Sequence, residues 1–197
     1  RPVRTVAYIY CVGSRQPAGG NEYCSKFCCT AACHTSVELS KLDPSIHQYH
    51  LNRDVRTYGK YELIYTRARE DGAVFMRYPY DTPPTVELTD SGLTVTTIDA
   101  LTQNEELTLP VDLVVLVTGM VPRANDGLTG LLKLPVGDDG FYNEIHPKLR
   151  PVETVVDGVM IAGTCQGPKT SAEAVGSGLA AVAQSADALY ADRARAS

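Results

Sequence analysis

The chain has 197 residues, 44% hydrophobic and 21% charged, enough for one large domain or two small ones with an ordinary packed core. Its formal net charge of −5 excludes a general nucleic-acid binder, which would carry a basic surface. The longest apolar run, Leu113 to Val117, is far too short for a transmembrane segment, and no signal peptide is visible, so a cytoplasmic location is expected. The opening residues, Arg1-Pro2-Val3-Arg4, run straight into an apolar strand without a Met, which reads as a piece of something longer.

Val3 to Tyr10 is β-branched and aromatic and predicts a buried strand, with Cys11 at its end. A Gly-, Pro- and Asn-rich loop follows. Glu22 to Leu42 predicts a helix with Ala31, Ala32 and Ser36 on its packed face, stopped by Asp43-Pro44. Ile46 to Leu51 predicts a second strand, Tyr61 to Asp71 a helix stopped by Gly72, and Ala73 to Tyr78 a third strand. That order predicts a parallel α/β unit. Thr85 to Thr89, Leu93 to Asp99 and Glu106 to Leu109 alternate apolar and polar residues between turn signals, and predict an antiparallel meander. Asp112 to Thr118 and Gly158 to Gly163 predict two further buried strands, with a loop-rich stretch over 123–150 between them. Thr170 or Ser171 caps a last helix running to about Asp187 or beyond.

Five of the six cysteines fall between positions 11 and 33: Cys11, Cys24, Cys28, Cys29 and Cys33. A cubane iron–sulfur cluster needs four converging thiolates. Cys24 and Cys28 are four apart and would share one side of a helical turn. The neighbours Cys28 and Cys29 diverge in a regular helix and could both bind only at an irregular helix start. Cys11 could close the site from the preceding strand end, and a helix N-terminus favours an anionic cluster. Cys33 is the candidate for an inert core thiol. Structural zinc, disulfides and a redox dithiol remain alternatives, although the C-x2-C pairing that marks zinc and dithiol sites is absent and nothing marks secretion. The cluster of cysteines occupies the turn where a dinucleotide fold cradles phosphate. Gly13, Gly19 and Gly20 do not make the G-x-G-x-x-G fingerprint there.

The segments CVGSR from Cys11, YCSKFCCTAA from Tyr23, RDVRTYGKYE from Arg53, DLVVLVTGMVP from Asp112, DGFYNEIHPKLRPV from Asp139, and AG-x-x-x-GPK from Ala162 together resemble the A-subunit family of heterodisulfide reductase. The resemblance covers nearly the whole chain. It implies a thioredoxin-reductase-like α/β flavoprotein core: a dinucleotide-binding-type three-layer domain with an antiparallel meander, plus the closing part of an FAD domain. Residues 1–120 would be the pyridine-nucleotide-type domain bearing the cysteines, and residues 121–197 the closing FAD segment. It further implies a [4Fe–4S] cluster on C-x12-C-x3-C-C, matched by Cys11, Cys24, Cys28 and Cys29, and electron transfer between FAD and iron–sulfur centres. Partners would be the other components of a heterodisulfide-reductase-like complex and ferredoxin-type carriers. NAD(P) binding and a homodimer stay open.

In such flavoproteins the strand before the last helix contacts the flavin ribityl chain. Gly163, Thr164, Gly167, Pro168 and Lys169 occupy that place here, with Thr164 where the pattern has Asp. His34 stands where the family often has a lysine near the flavin, and histidine is cationic only below about 6.5. The FAD fingerprint and the ferredoxin-type C-x2-C-x2-C-x3-C motifs are absent, so the FAD site is incomplete in this chain and the chain alone is expected to be inactive. No catalytic residue is assigned. Two alternatives to electron transfer are a flavin-dependent pyridine nucleotide or disulfide reductase acting through thiols, and a catalytically silent docking module.

Overall fold

The computed structural model describes residues 2–90 and 92–195. The chain divides into two compact units, one formed by residues 1–15 and 26–119, the other by residues 16–25 and 120–197.

The first unit is built on strand β1 (Thr5–Val12). Its residues Val6 to Tyr10 are all buried. A strand buried on both faces suits the interior of a parallel sheet. β1 pairs in parallel with β2 (His47–Asn52) on one side and with β7 (Leu113–Thr118) on the other. β3 (Val74–Arg77) extends the sheet beyond β2, giving the order β3-β2-β1-β7. Helices α1 (Cys28–Leu42) and α2 (Glu62–Glu70) connect the first three strands. The residues between β3 and β7 form a separate antiparallel meander, β4 (Thr85–Thr89), β5 (Gly92–Asp99) and β6 (Glu105–Val111).

Alternate side chains of β1 sort the layers. Val6, Tyr8 and Tyr10 pack with Cys28, Cys29 and Ala32 of α1. Ala7 and Ile9 face the opposite way and pack with Leu51, Tyr78, and Val95 and Val111 of the meander. The unit is therefore three-layered, helices over a parallel sheet over a meander, as the alternation of the sequence requires. Burying each such large side chain contributes about 1.5–3 kcal/mol.

In the second unit Tyr23 donates from its hydroxyl to the Met120 carbonyl at 2.9 Å, and Ser25 Oγ accepts the Met120 N–H at 2.8 Å. Tyr23 also meets Phe141 edge-on, with centroids 5.4 Å apart. The loop-rich stretch contains a short helix, α3 (Asp126–Leu132), closed by Lys133 in the left-handed region at φ 51°. The last helix, α4 (Ser171–Arg195), starts where the sequence placed it. No helix among the described residues is long and apolar enough to cross a membrane.

Three local expectations are corrected. The helix expected from Glu22 begins only at Cys28, because Ser25 is tied to Met120 and Lys26 takes φ 59°, which no right-handed helix accommodates. Ala32 and Ser36 lie on the packed face of α1 as expected, but Ala31 is exposed. Residues 158–163 form no strand. Met160 makes one isolated bridge to Glu153, and Gly163 already opens a 3-10 turn, Gly163–Gln166. An apolar run becomes a strand only beside a partner with which to pair its N–H and C=O groups. Among the described residues this run has no such ladder.

Candidate functional site

Cys11 ends the buried part of β1 in an unusual way. The β1–β7 register shifts between Ile9 and Val12, and Cys11 itself sits at φ 60°. A bulge re-aims the side chain of the displaced residue, and a left-handed non-glycine residue is uncommon. A tight turn follows, with Ser14 N–H bonding the Cys11 carbonyl at 3.3 Å and Gly13 at φ 72°. The next left-handed residue, Arg15 at φ 51°, ends the first segment of the first unit, and Lys26 at φ 59° begins its second. Cys24, half-buried, lies on the intervening 16–25 segment of the other unit.

Cys28 and Cys29 open α1, and both are buried. No side chain caps this helix start, so the first-turn N–H groups have no intrahelical acceptor and mark its positive end. α1 begins at Cys28, two residues after the left-handed Lys26, which removes Cys24 from the helical turn expected to align it with Cys28.

The thiol environments differ. Cys11 is pushed up by burial, opposed chiefly by the Arg15 guanidinium, whose Nη1 lies 4.0 Å from Sγ, and by Arg53. Cys29 is pushed up by its hydrogen bond with Cys28 and by burial. The backbone N–H of Arg56, donated to its sulfur, works the other way. Arg15 is ion-paired with Asp54, which also takes Arg56 at 3.2 Å. Cys33 is fully buried and pushed up to about 11 by burial, with the Tyr10 hydroxyl 3.8 Å from its sulfur. Among the described residues no group of three or more His, Cys, Asp or Glu side chains is arranged to hold a metal ion. The donor set nevertheless suits a thiolate-bound group: soft sulfurs, a helix N-terminus and a fixed cation beside one of them.

The segment expected to meet a flavin lies in the second unit. Gly163 at φ 75° and Gly167 at φ 140° both border open space where a side chain would project. Such positions permit close backbone approach of a ligand. Gly163 N–H is taken by Ser177 Oγ of α4 at 2.8 Å. Thr164 is exposed, and Pro168 and Lys169 are half-buried just before α4. Thr164 and Cys165 line a cleft of about 720 Å³ together with Met120, Pro122, Arg123 and Tyr142. That volume is in the range of small-molecule sites. Cys165 donates from Sγ to the Ala162 carbonyl at 3.1 Å. The start of α4 carries a reciprocal cap: Thr170 N–H to Glu173 Oε2 at 2.8 Å, and Glu173 N–H to Thr170 Oγ1 at 3.3 Å. The cap brings the Glu173 carboxylate to the positive end of α4. His34 lies on α1 with its side chain 62% exposed and Nε2 4.0 Å from Glu38 one turn on.

In the sequence Arg53 and Arg56 stand out only as part of the segment RDVRTYGKYE, and Arg15 only as the end of CVGSR. The available signal was an arginine four residues after Cys11 in a tight turn. The cleft residues Arg123 and Tyr142 carry no spacing that marks them.

No protein-family model matches the chain. It is 42% identical over 175 residues to the A-subunit of the H(2)/formate:CoB-CoM heterodisulfide,ferredoxin reductase of Methanococcus maripaludis, covering 85% of this chain and 26% of that protein. It is 40% identical over 192 residues to the CoB--CoM heterodisulfide reductase iron-sulfur A-subunit 2 of Methanopyrus kandleri, covering 95% of this chain and 29% of that protein. The chain thus spans about a quarter of the length of the curated relatives it matches. Among solved structures, the Cu(II) complex of the HOCl-induced flavoprotein disulfide reductase RclA from Escherichia coli matches with a TM-score of 0.53 at 11% identity, over 89% of this chain and 34% of that one. At that identity the likeness concerns the fold alone. Sequence identity near 40% over most of the chain decides the family: over the residues they share, the chain belongs to the A-subunit family of heterodisulfide reductase.

Proposed function

We propose that the chain is part of an electron-transferring oxidoreductase of the heterodisulfide reductase type, and that Cys11, Cys24, Cys28 and Cys29 hold a [4Fe–4S] cluster. The observation that carries the reading is the C-x12-C-x3-C-C spacing, with Cys28 and Cys29 at the uncapped start of α1 and Cys11 turned out of β1 by a bulge. Such a cluster supplies one-electron acceptance and donation, and a flavin supplies exchange between electron pairs and single electrons. The protein's own contribution is positional. Tyr8 and Tyr10 pack β1 against α1 and keep the start of the helix beside the end of the strand. Cys33, one turn beyond Cys29, fills the core.

FAD would be met by Gly163, Thr164, Gly167, Pro168 and Lys169, the two glycines leaving room for backbone approach. His34 would provide a cation near the flavin only when protonated. The other components of a heterodisulfide-reductase-type complex and ferredoxin-type carriers are the proposed electron partners, and the cytoplasm is the proposed location.

Anaerobic reconstitution with iron and sulfide tests the cluster reading. The wild-type chain is expected to take up about four iron atoms. Cys11→Ala, Cys24→Ala, Cys28→Ala and Cys29→Ala should each lower the iron content, while Cys165→Ala should leave it unchanged. Equal iron in all five variants would refute the assignment. A metal-free chain with dithiol reductase activity would favour thiol chemistry instead.

A further inference from the structure

We propose that Arg15, clamped by Asp54, is a positioning residue that raises the reduction potential of the iron–sulfur group on Cys11; this rests on the cluster reading above. Arg15 Nη1 lies 4.0 Å from Cys11 Sγ, and its side chain is only 16% exposed. A guanidinium does not lose its proton, so this charge is fixed. Two further contacts hold it there: the ion pair with Asp54, and the Arg53 guanidinium, which donates to the Arg15 carbonyl. Arg53 is in turn fixed over the Tyr80 ring at 4.1 Å and by a 3.2 Å bond to the Tyr80 carbonyl.

The loop after β2 serves both thiols. Asp54 directs Arg15 to Cys11, and the Arg56 backbone N–H donates to Cys29 Sγ. Arg15 and Arg56 both pair with the Asp54 carboxylate while Arg53 donates to the Arg15 carbonyl, so three guanidinium groups and one carboxylate leave a local excess of positive charge beside Cys11 and Cys29. A cubane with four thiolates becomes one unit more negative when it accepts one electron from a reductant, with no bond formed or broken. A fixed cation and N–H···S contacts stabilise the more negative state more, which raises the potential. A residue that merely shaped the turn would leave the potential where it was.

The test is a redox titration of the anaerobically reconstituted chain, with dithionite as reductant, read by electron paramagnetic resonance and beside an iron count. Wild type is compared with R15Q, R15K and R53Q. R15Q is expected to keep its iron and lose about tenfold in the equilibrium constant for reduction, about 59 mV for a one-electron couple. R15K, which keeps the charge, should recover most of that shift, and R53Q should move in the same direction by less. An unmoved midpoint in a fully loaded R15Q chain overturns the inference, as does an R15K shift as large as that of R15Q. If R15Q does not keep iron, R53Q decides, and an unmoved midpoint there overturns it. A wild-type chain that takes up no iron refutes the cluster reading itself, a result distinct from a loaded chain with an unmoved potential.

Discussion

His50 shows how far burial governs single residues here. It lies fully buried in β2, stacked 4.3 Å from Tyr8 and 4.4 Å from Phe75, with Nδ1 2.9 Å from the Tyr10 hydroxyl and Nε2 3.1 Å from Ser36 Oγ. Burial pushes its pKa down to about 3. The native state holds it neutral, while the unfolded chain protonates it below about 6.5. Its contribution is therefore complete above about pH 6.5 and falls by about 1.4 kcal/mol per pH unit toward pH 3. Urea unfolding at pH 7 and pH 5 should show this loss, and His50→Gln should be less stable but should flatten that part of the slope. An unchanged slope in the variant would show that His50 is not the group responsible. Cys33 gives a second prediction. Cys33→Ala should cost about 1 kcal/mol from lost burial, read as a lower urea midpoint, and retain full iron content. The sequence marked Cys33 as the inert thiol, and its full burial against Tyr10 agrees with that. It gave no sign of the His50 network, since a histidine within a strand looks the same whether exposed or enclosed.

At the scale of elements, hydrophobic periodicity made most of the first unit legible. The observed β1, β2, β3, the meander strands and β7 fall within two residues of their predicted limits, because each has a partner that rewards the pattern. The failures share a cause. Residues 158–163 have an apolar strand pattern but no strand to pair with, and residues 22–27 have helical composition overridden by a left-handed Lys26 and a committed Ser25. Neither constraint is local to the segment that obeys it. The glycine segment before α4 gives a prediction at this scale. Gly167 adopts φ 140°, ψ 172°, a region essentially closed to other residues. Gly167→Ala should therefore cost about 1–3 kcal/mol although open space surrounds the position, read as a lower thermal midpoint. Thr170→Ala, which removes half of the α4 cap, should cost about 1 kcal/mol and speed amide exchange in the first turn. No change in either variant would mean that this helix start is not held as described.

For the molecule as a whole, the fold and the candidate site were legible to different degrees. A parallel α/β unit with a meander follows from alternation and from the order of strands and helices. The cysteine spacing singled out Cys11, Cys24, Cys28 and Cys29, but their surroundings required the structure. Cys11 departs from the strand through a bulge, Arg15 reaches its sulfur from the turn after β1, and the loop after β2 supplies Asp54 to Arg15 and the Arg56 N–H to Cys29. Those neighbours come from segments far apart in sequence, and no local pattern links them. The central claim is that thiols from this cysteine-rich segment bind one cubane cluster. Parallel iron and acid-labile sulfide analysis of the anaerobically purified protein, with its low-temperature resonance spectrum before and after dithionite, tests that claim most directly. About four iron and four sulfide per site carried by Cys11, Cys24, Cys28 and Cys29 are expected, with a signal that appears on one-electron reduction and is absent in Cys28→Ala. Zinc in place of iron, or a spectrum and iron content untouched by Cys28→Ala, would contradict it.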